Sequence, residues 1–261
     1  MNKTSKVIKY VLFDVVRSRW LVIYTLFFFV VTYSLFNLGG NEERVLISLM
    51  NIVLFIIPLV SVLFGTMYQY HSREFIELLL SQPISRRMLF TGLYLGLTIP
   101  LSLGYAIGVA LPFAVYSQTY LPALLVLMLL SGILLTFIFV ALALWVANLF
   151  EEKIKGFGFA ILFWLLFAVI YDGLILFIAF AFEDYPLEKP LMAMSFFNPI
   201  DLARILMLLK SDFSALMGYT GALFREFFGT SSGLAFSIVF LIGWSLVPYV
   251  LGLRVFLKKN F

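Results

Sequence analysis

The sequence predicts an all-α integral membrane protein with six transmembrane helices. Hydrophobic residues make up 63% of the 261 residues and charged residues only 12%, whereas soluble domains average roughly 45–50% and 25%. A bilayer core requires about 20 consecutive apolar residues per helix. The chain offers six such runs, at about 20–38, 46–68, 88–116, 121–149, 157–182 and 234–257. We therefore treat residues 1–261 as a single transmembrane domain.

Several chemistries lack the residues that they need. There is no cysteine, which excludes a disulfide framework, a thiolate metal site and a cysteine nucleophile. His71 is the only histidine, so neither a metal site nor a serine–histidine pair can be assembled around it. The net charge of +4 is small and dispersed, which argues against nucleic-acid binding. No Walker-type phosphate loop occurs, so we expect no catalytic residue, no metal and no cofactor bound directly.

The chain begins with a pattern typical of an interfacial amphipathic helix over residues 6–18. Its apolar positions share one helical face and its charged positions another. The apolar face comprises Ile8, Val11, Leu12 and Val15, and the charged face comprises Lys6, Lys9, Asp14 and Arg17. A signal peptide is the competing interpretation, but an interfacial helix precedes the apolar run and no A-x-A cleavage site follows it. We expect this segment to be retained.

Between the second and third runs, residues 70–87 predict a helix at the membrane surface. Glu74, Glu77 and Ser81 recur at spacings of three and four and share one face. The opposite face is apolar and carries Phe75, Ile76, Leu79 and Leu80. Pro83 cannot continue the helix, Ser85 is a suitable N-cap for the next one, and Arg86 and Arg87 suit the head-group level. We expect the helix and turn of residues 70–87 to sit in a groove of a partner protein.

The distribution of basic residues predicts the orientation. Thirteen of the 18 Lys and Arg residues lie on the side that holds both termini, the 70–87 segment and the 150–156 loop. The positive-inside rule therefore makes this side, with both termini, cytoplasmic. Glu151, Glu152 and Lys153 in the second cytoplasmic loop form either a second partner contact or an ordinary charged turn.

The outer loop, residues 183–232, predicts two amphipathic helices on the outer membrane surface. Asn198-Pro199-Ile200-Asp201 is a strong helix start, with a capping residue, proline at the first position and an acid in the first turn. An apolar stripe follows at Leu202, Ile205, Leu206 and Leu209, and Ser211 or Asp212 would begin a second helix carrying Phe213, Leu216, Met217, Phe224 and Phe227.

Two features inside the spans carry opposed interpretations. Asp172 lies in the fifth run, where an acid costs on the order of 2.5–3.5 kcal/mol at mid-membrane. It is either a functional group or an acid near the interface, hydrogen-bonded to a hydroxyl of a neighbouring span. In the third run, Gly92-x-x-x-Gly96 and Gly104-x-x-x-Gly108 permit close helix approach. We expect packing within the subunit rather than a dimer seam.

The segments Arg73 to Leu80, Gln82 to Arg86 and Gly92 to Gly96 resemble the first coupling helix and following span of ABC-2 type transporter permeases. The Asn198-Pro199-Ile200-Asp201 start is similar to a motif of the Nos-type (NosY-like) branch, which serves nitrous oxide reductase maturation. The resemblance assigns ATPase coupling to Arg73, Glu74, Phe75, Glu77, Leu78, Gln82, Pro83 and Arg86. It assigns binding of an outer partner to Asn198, Pro199, Asp201 and Arg204.

The resemblance also implies an assembly. It comprises a homodimer of this permease, with the first and fifth spans at the dimer interface, in the bacterial inner membrane. Residues 6–18 would be the elbow helix. A separate cytoplasmic ABC ATPase dimer, NosF-like, would bind ATP and Mg²⁺, and a periplasmic NosD-like protein would bind outside. The implied role is copper-site maturation of nitrous oxide reductase.

Two alternatives stay open. One is an ABC-2 exporter of another substrate, a lipid, peptide or drug. The other is an ATP-independent carrier or channel, which would call for intramembrane charges or a helix broken at mid-membrane. Apart from Asp172 the spans offer neither.

Overall fold

The computed structural model describes residues 3–38, 42–116, 122–182, 185, 188–208 and 231–259. The helices are α1 (Lys3–Arg17), α2 (Arg19–Asn37), α3 (Glu42–His71), α4 (Arg73–Leu80), α5 (Arg86–Tyr116), α6 (Pro122–Leu149), α7 (Lys153–Leu165), α8 (Tyr171–Ala181), α9 (Glu188–Ser195), α10 (Pro199–Leu208) and α11 (Ser231–Lys258). A π-helical turn, Leu166–Ile170, joins α7 to α8. Within these residues, six helical segments are long and apolar enough to cross a membrane, which confirms the predicted fold class.

The predicted second outer helix, with Phe213, Leu216, Met217, Phe224 and Phe227, lies outside the described residues. Residues 117–121, between the third and fourth spans, lie outside them as well.

Helices α5 and α6 form the centre of the bundle. Buried residues follow α5 from Leu89 to Phe113, and Tyr105 in its middle donates a hydrogen bond to the carbonyl oxygen of Met128 in α6 (3.0 Å). Helices α1 and α2 pack on α5, while α3 and α11 pack on α6. Although Pro100 and Pro112 lie inside it, α5 stays one helix of 31 residues. Its length of about 46 Å exceeds a hydrocarbon core of about 30 Å, so it tilts or projects beyond the core.

The four glycines of α5 bring other helices of the same subunit close. A Cβ atom added at Gly92 or Gly96 would lie 2.5 Å from the Cγ1 of Val7 or Val11 in α1. A Cβ atom at Gly104 would lie 2.7 Å from the Oγ1 of Thr25 in α2. Gly108 meets the carbonyl oxygen of the same threonine. The expectation that these motifs pack within the subunit is confirmed.

Helix α1 uses its predicted apolar face against α5. Val11 and Val15 are buried, and Val7, one turn earlier, extends the same stripe. The opposite side presents Tyr10 and Phe13, each 54% exposed. An amphipathic helix with such exposed aromatic groups is suited to the membrane interface.

The fifth span, formed by α7, the π-helical turn and α8, lies at the edge of the bundle. Only 6% of its most apolar 18-residue window is buried, compared with 56% for the second and third spans. It is attached to α3 where Trp164 Nε1 donates to the carbonyl oxygen of Phe55 (3.2 Å). Large apolar side chains, including Leu176 and Phe180, point away from the subunit.

Candidate functional site

The short helix α4 sits firmly on the bundle and still presents a free face. Ile76 is fully buried, and the ring of Phe75 stacks on Tyr10 of α1 at a centroid distance of 4.6 Å. Leu78 is 65% exposed, and Glu74 is exposed as well. Arg73 Nε and Glu77 Oε1 form an ion pair of 3.2 Å along the helix, which at such exposure contributes about 0.3–0.5 kcal/mol. The outward face therefore carries the acid Glu74 and the exposed side chain of Leu78.

The turn after α4 is fastened to the end of α11. Ser85 Oγ accepts a hydrogen bond from the backbone N–H of Met88 (3.4 Å), so it acts as the expected N-cap. Arg86 donates from Nη1 to the carbonyl oxygens of Leu257 (3.0 Å) and Lys259 (2.7 Å). A guanidinium group at a helix C-terminus satisfies free carbonyl groups and complements the helix dipole. The guanidinium group of Arg86 thus makes its hydrogen bonds within the chain. Gln82 and Pro83 lie exposed in the turn.

A chain of polar contacts extends from this turn to the ends of α6 and α3. Lys259 Nζ donates to the carbonyl oxygen of Asn148 (3.0 Å), and Gln69 Nε2 donates to Asn148 Oδ1 (3.1 Å). Burial lowers the pKa of Lys259, the charge of Arg73 lowers it further, and Glu151 opposes both. Gln69 and Asn148 are not among the residues predicted from the sequence, although an amide at the end of the second and of the fourth apolar run is a visible signal.

The loop between α6 and α7, which is predicted to be the second cytoplasmic loop, is held by the last turn of α3. The hydroxyl group of Tyr70 donates to the carbonyl oxygens of Phe150 (3.0 Å) and Glu152 (3.4 Å). Gly156 lies against the Tyr70 ring, where a Cβ atom would clash. The side chains of Glu151, Glu152 and Lys153 remain exposed, and Glu152 pairs with Lys155 (2.8 Å). Because α4 begins at Arg73, two residues after α3 ends at His71, both loops depend on the same end of α3.

At the outer end of the bundle, four side chains from the fifth span and α10 form one network. Arg204 donates from Nη1 to Asp201 Oδ1 (2.8 Å) and from Nη2 to Asp172 Oδ2 (3.0 Å). Asn198 Nδ2 donates to Asp201 Oδ2 (2.9 Å). Asp172 therefore lies near the interface with a partner, but that partner is a guanidinium group of the outer loop rather than a hydroxyl group of a neighbouring span.

Asn198 also joins α10 to the π-helical turn. Its Oδ1 accepts from the backbone N–H of Ile200 (3.0 Å), which is the predicted capping contact. Its Nδ2 also donates to the carbonyl oxygen of Phe167 (3.0 Å), inside the turn. There the Tyr171 N–H donates to Leu166, five residues back rather than four. Because the backbone hydrogen bonds in this turn join residues five apart rather than four, the carbonyl oxygen of Phe167 is available to a side chain.

Helix α10 packs into the bundle instead of lying only on its surface. Leu202, Ala203 and Leu206 are fully buried, in contact with α3, α6 and α11. Asn198 and Asp201 are 0% and 6% exposed, and Pro199 is buried too. Among the four residues expected to bind an outer partner, only Arg204 is partly exposed, with 31% of its side chain. Direct contact between a partner and this network would therefore involve Arg204 rather than the three buried residues.

The electrostatics of this network centre on Asp201. Burial raises the pKa of its carboxyl group from the usual 3.8 to about 7; Asp172 adds to the increase, and Arg204 opposes it. Two carboxyl groups thus share one guanidinium group in a poorly solvated position.

Together, the six spans among the described residues define a multi-pass membrane protein, and the short helix α4 exposes one of its faces. The profile of the family described as "ABC-2 family transporter protein" matches residues 7–261, nearly the whole chain. The chain belongs to this family and is the membrane component, a permease subunit, of an ABC transporter. No individual curated protein matches the chain significantly.

Proposed function

We propose that the chain is one half of a homodimeric permease driven by a separate cytoplasmic ABC ATPase dimer, which binds the ATP and Mg²⁺. The observation that carries the proposal is the position of α4, which is anchored by Ile76 and Phe75 and exposes Glu74 and Leu78. An exposed leucine beside an acid on a short helix suits a groove of complementary charge in a partner.

The anchoring of α4 explains how an ATPase would move the spans. A push on the exposed face reaches α1 through the Phe75–Tyr10 stack. It reaches α11 through Arg86, and α6 through Lys259 and Asn148. Because these contacts join the ends of several helices, the push would act as a rigid-body displacement. Glu151, Glu152 and Lys153 would provide a second contact nearby.

The homodimer is supported by the fifth span, which is the least buried of the six within the subunit. Six spans, one of which packs little against the others, are too few to enclose a transport pathway. We place both termini in the cytoplasm of a bacterial cell, on the basis of the positive-inside distribution.

Within the family, we propose the Nos-type branch, with a NosF-like ATPase inside and a NosD-like periplasmic partner outside, in copper-site maturation of nitrous oxide reductase. The support is the Asn198-Pro199-Ile200-Asp201 segment and the Gln82 to Arg86 turn. In this chain the first segment fastens α10 to the fifth span. A partner bound near Arg204 would therefore be coupled directly to that span.

The test is co-purification of the tagged chain from mild detergent, with mass spectrometry of the retained proteins. The variant is Glu74→Lys with Leu78→Asp, which reverses the outward face and leaves Ile76, Phe75 and the Arg73–Glu77 pair intact. The matched control is Lys258→Glu, a charge reversal at an exposed residue at the end of α11. We expect an ABC ATPase to accompany the wild type and the control and to be lost from the variant.

An ATPase retained equally by the variant would overturn the role of α4. Absence of any ATPase from the wild type would favour the ATP-independent carrier. A copurifying periplasmic repeat protein would support the Nos branch, and an ATPase without one would favour an exporter of a lipid, peptide or drug.

A further inference from the structure

A cavity of about 470 Å³ lies beside the interfacial helix, between α1, the start of α2, the end of α3 and α4. Its volume falls within the roughly 300–1,000 Å³ of small-ligand pockets. Its lining combines aromatic rings with one acid and one base, chiefly Tyr10, Asp14, Arg17, Trp20, Tyr68 and Phe75. The function proposed above uses none of these groups except Phe75 and Tyr10, and those only for their stack.

The two charged groups of the lining have no ionic partner within the described part of the chain. Asp14 Oδ2 accepts a hydrogen bond from the Tyr68 hydroxyl group (3.0 Å) but forms no salt bridge there, and Arg17 forms none either. They are three residues apart on α1 and so lie on the same side of the helix. Besides His71, the lining carries one negative and one positive charge, those of Asp14 and Arg17. A ligand that complements the lining therefore carries one positive and one negative charge.

The aromatic groups favour a cation on the acidic side. Tyr10 and Phe75 stack at 4.6 Å and form one wall of the cavity. Ring faces attract ammonium groups, and this attraction is strongest where water is excluded. An ammonium group next to Asp14 would therefore contact both a carboxylate and ring faces, whereas a plain anion would be repelled by Asp14.

The position of the cavity indicates a lipid rather than a soluble molecule. Trp20, at the start of the first span, and Phe64, near the end of the second, both line it. Tryptophan and arginine at a span end mark the head-group level. The adjacent outward side of α1 exposes Phe13 and Val16, which would lie along acyl chains.

We propose that this cavity binds the head group of phosphatidylethanolamine. Its ammonium group lies against Asp14 and the rings of Tyr10 and Tyr68, and its phosphate group pairs with Arg17. The lipid would occupy the joint between the interfacial helix and α4.

Native mass spectrometry of the full chain, after exchange into mixed micelles with equimolar phosphatidylethanolamine and phosphatidylglycerol, tests the proposal. We expect the wild type to retain one phosphatidylethanolamine in preference to phosphatidylglycerol. Asp14→Asn and Arg17→Gln should each reduce its retention by roughly tenfold. The matched control is Arg19→Gln, an exposed base two residues further along that does not line the cavity, and it should retain the lipid.

Arg17→Lys, which keeps the charge, should recover much of the retention and separates loss of binding from loss of folding. Equal retention in the wild type and in Asp14→Asn would overturn the proposal. A preference of the wild type for phosphatidylglycerol would overturn it too. If soluble glycerophosphoethanolamine, which has no acyl chains, displaces the lipid, the cavity would be assigned to a free solute instead. The outcome does not depend on whether an ATPase binds α4.

Discussion

Asn198 makes three side-chain hydrogen bonds, to the backbone of Ile200, to Asp201 and to the carbonyl oxygen of Phe167. Asn198→Ala removes a helix cap, worth about 1 kcal/mol, and leaves buried polar groups unpaired at about 1–3 kcal/mol. We expect a loss of about 2–4 kcal/mol in the free energy of unfolding, seen as a lower Tm in detergent. Asn37→Ala, which removes one exposed bond to Tyr33, is the control and should have little effect. Equal shifts would contradict the role of Asn198.

Asp201 gives the outer network a pH dependence. Its pKa rises from the usual 3.8 to about 7 in the folded chain, so the folded state holds this proton more tightly than the unfolded state. Stabilisation by the proton is complete below the lower value and is lost as the pH rises to the upper one. We expect the Tm of the wild type, relative to that of the non-titrating Asp201→Asn, to fall between about pH 4 and pH 7. A difference that stays flat over this range would show instead that Arg204 keeps Asp201 ionised.

At the residue level, the sequence predicted what is local. The cap at Asn198 and the N-cap at Ser85 follow from residue types within a few positions. The partners of Asp172 and Arg86 were not predictable in this way, because Arg204 is 32 residues from Asp172 and Leu257 is 171 residues from Arg86. The resemblance assigns Arg86 to ATPase coupling, and spacing along the sequence does not indicate that its guanidinium group also caps α11.

Among the elements, the seat of α1 on α5 depends most directly on single residues. A methyl group at Gly96 would lie 2.5 Å from the Cγ1 and 2.6 Å from the Cβ of Val11, so rotation of the valine cannot relieve the overlap. Gly96→Ala should cost about 1–3 kcal/mol of overpacking, offset by up to about 1 kcal/mol of helix propensity. Gly243→Ala in α11, where nothing lies within 4 Å, should be neutral or stabilising in the same Tm measurement.

A second change tests the cause of the Gly96 effect. Combining Gly96→Ala with Val11→Gly should cost less than the sum of the two single changes, because loss of both the Cγ and the Cβ atoms of residue 11 makes room for the new methyl group. Strict additivity would mean that the loss arises elsewhere than at this contact.

The helices themselves were largely predictable, since hydropathy and spacing mark the spans, α1 and α4. Two features were not. The π-helical turn has the sequence LFAVI, with no glycine or proline to mark it, and the carbonyl oxygen of Phe167 within it accepts a hydrogen bond from Asn198, the residue before α10. The stripe of α10 at Leu202 and Leu206 has the same spacing whether its partner is lipid or protein, so the pattern could not show that α10 enters the bundle.

For the whole molecule, the number of spans follows from composition, but their arrangement depends on which faces find partners. The third span is buried along much of its length by α1, α2 and α6, while 6% of the fifth span's apolar window is covered. A hydropathy plot marks both as membrane spans but does not show which of them is buried. An uncovered apolar face is compatible with lipid or with a second copy of the chain. In a two-fold dimer, this face of one copy would pack against the same face of the other.

Cysteine cross-linking in native membranes distinguishes lipid from a second copy. The chain contains no cysteine, so a single introduced one has no background. Leu176→Cys, Phe177→Cys and Phe180→Cys cover the outward face of α8, where these side chains are 70%, 70% and 80% exposed. At least one should form a disulfide-linked dimer under mild oxidation, since a bond requires Cβ atoms about 3.5–4.5 Å apart. Val126→Cys in α6 and Val239→Cys in α11, 58% and 62% exposed, are matched controls and should stay monomeric on non-reducing gels. Dimers at the control positions with none on α8 would place the contact between copies elsewhere and leave the fifth span facing lipid.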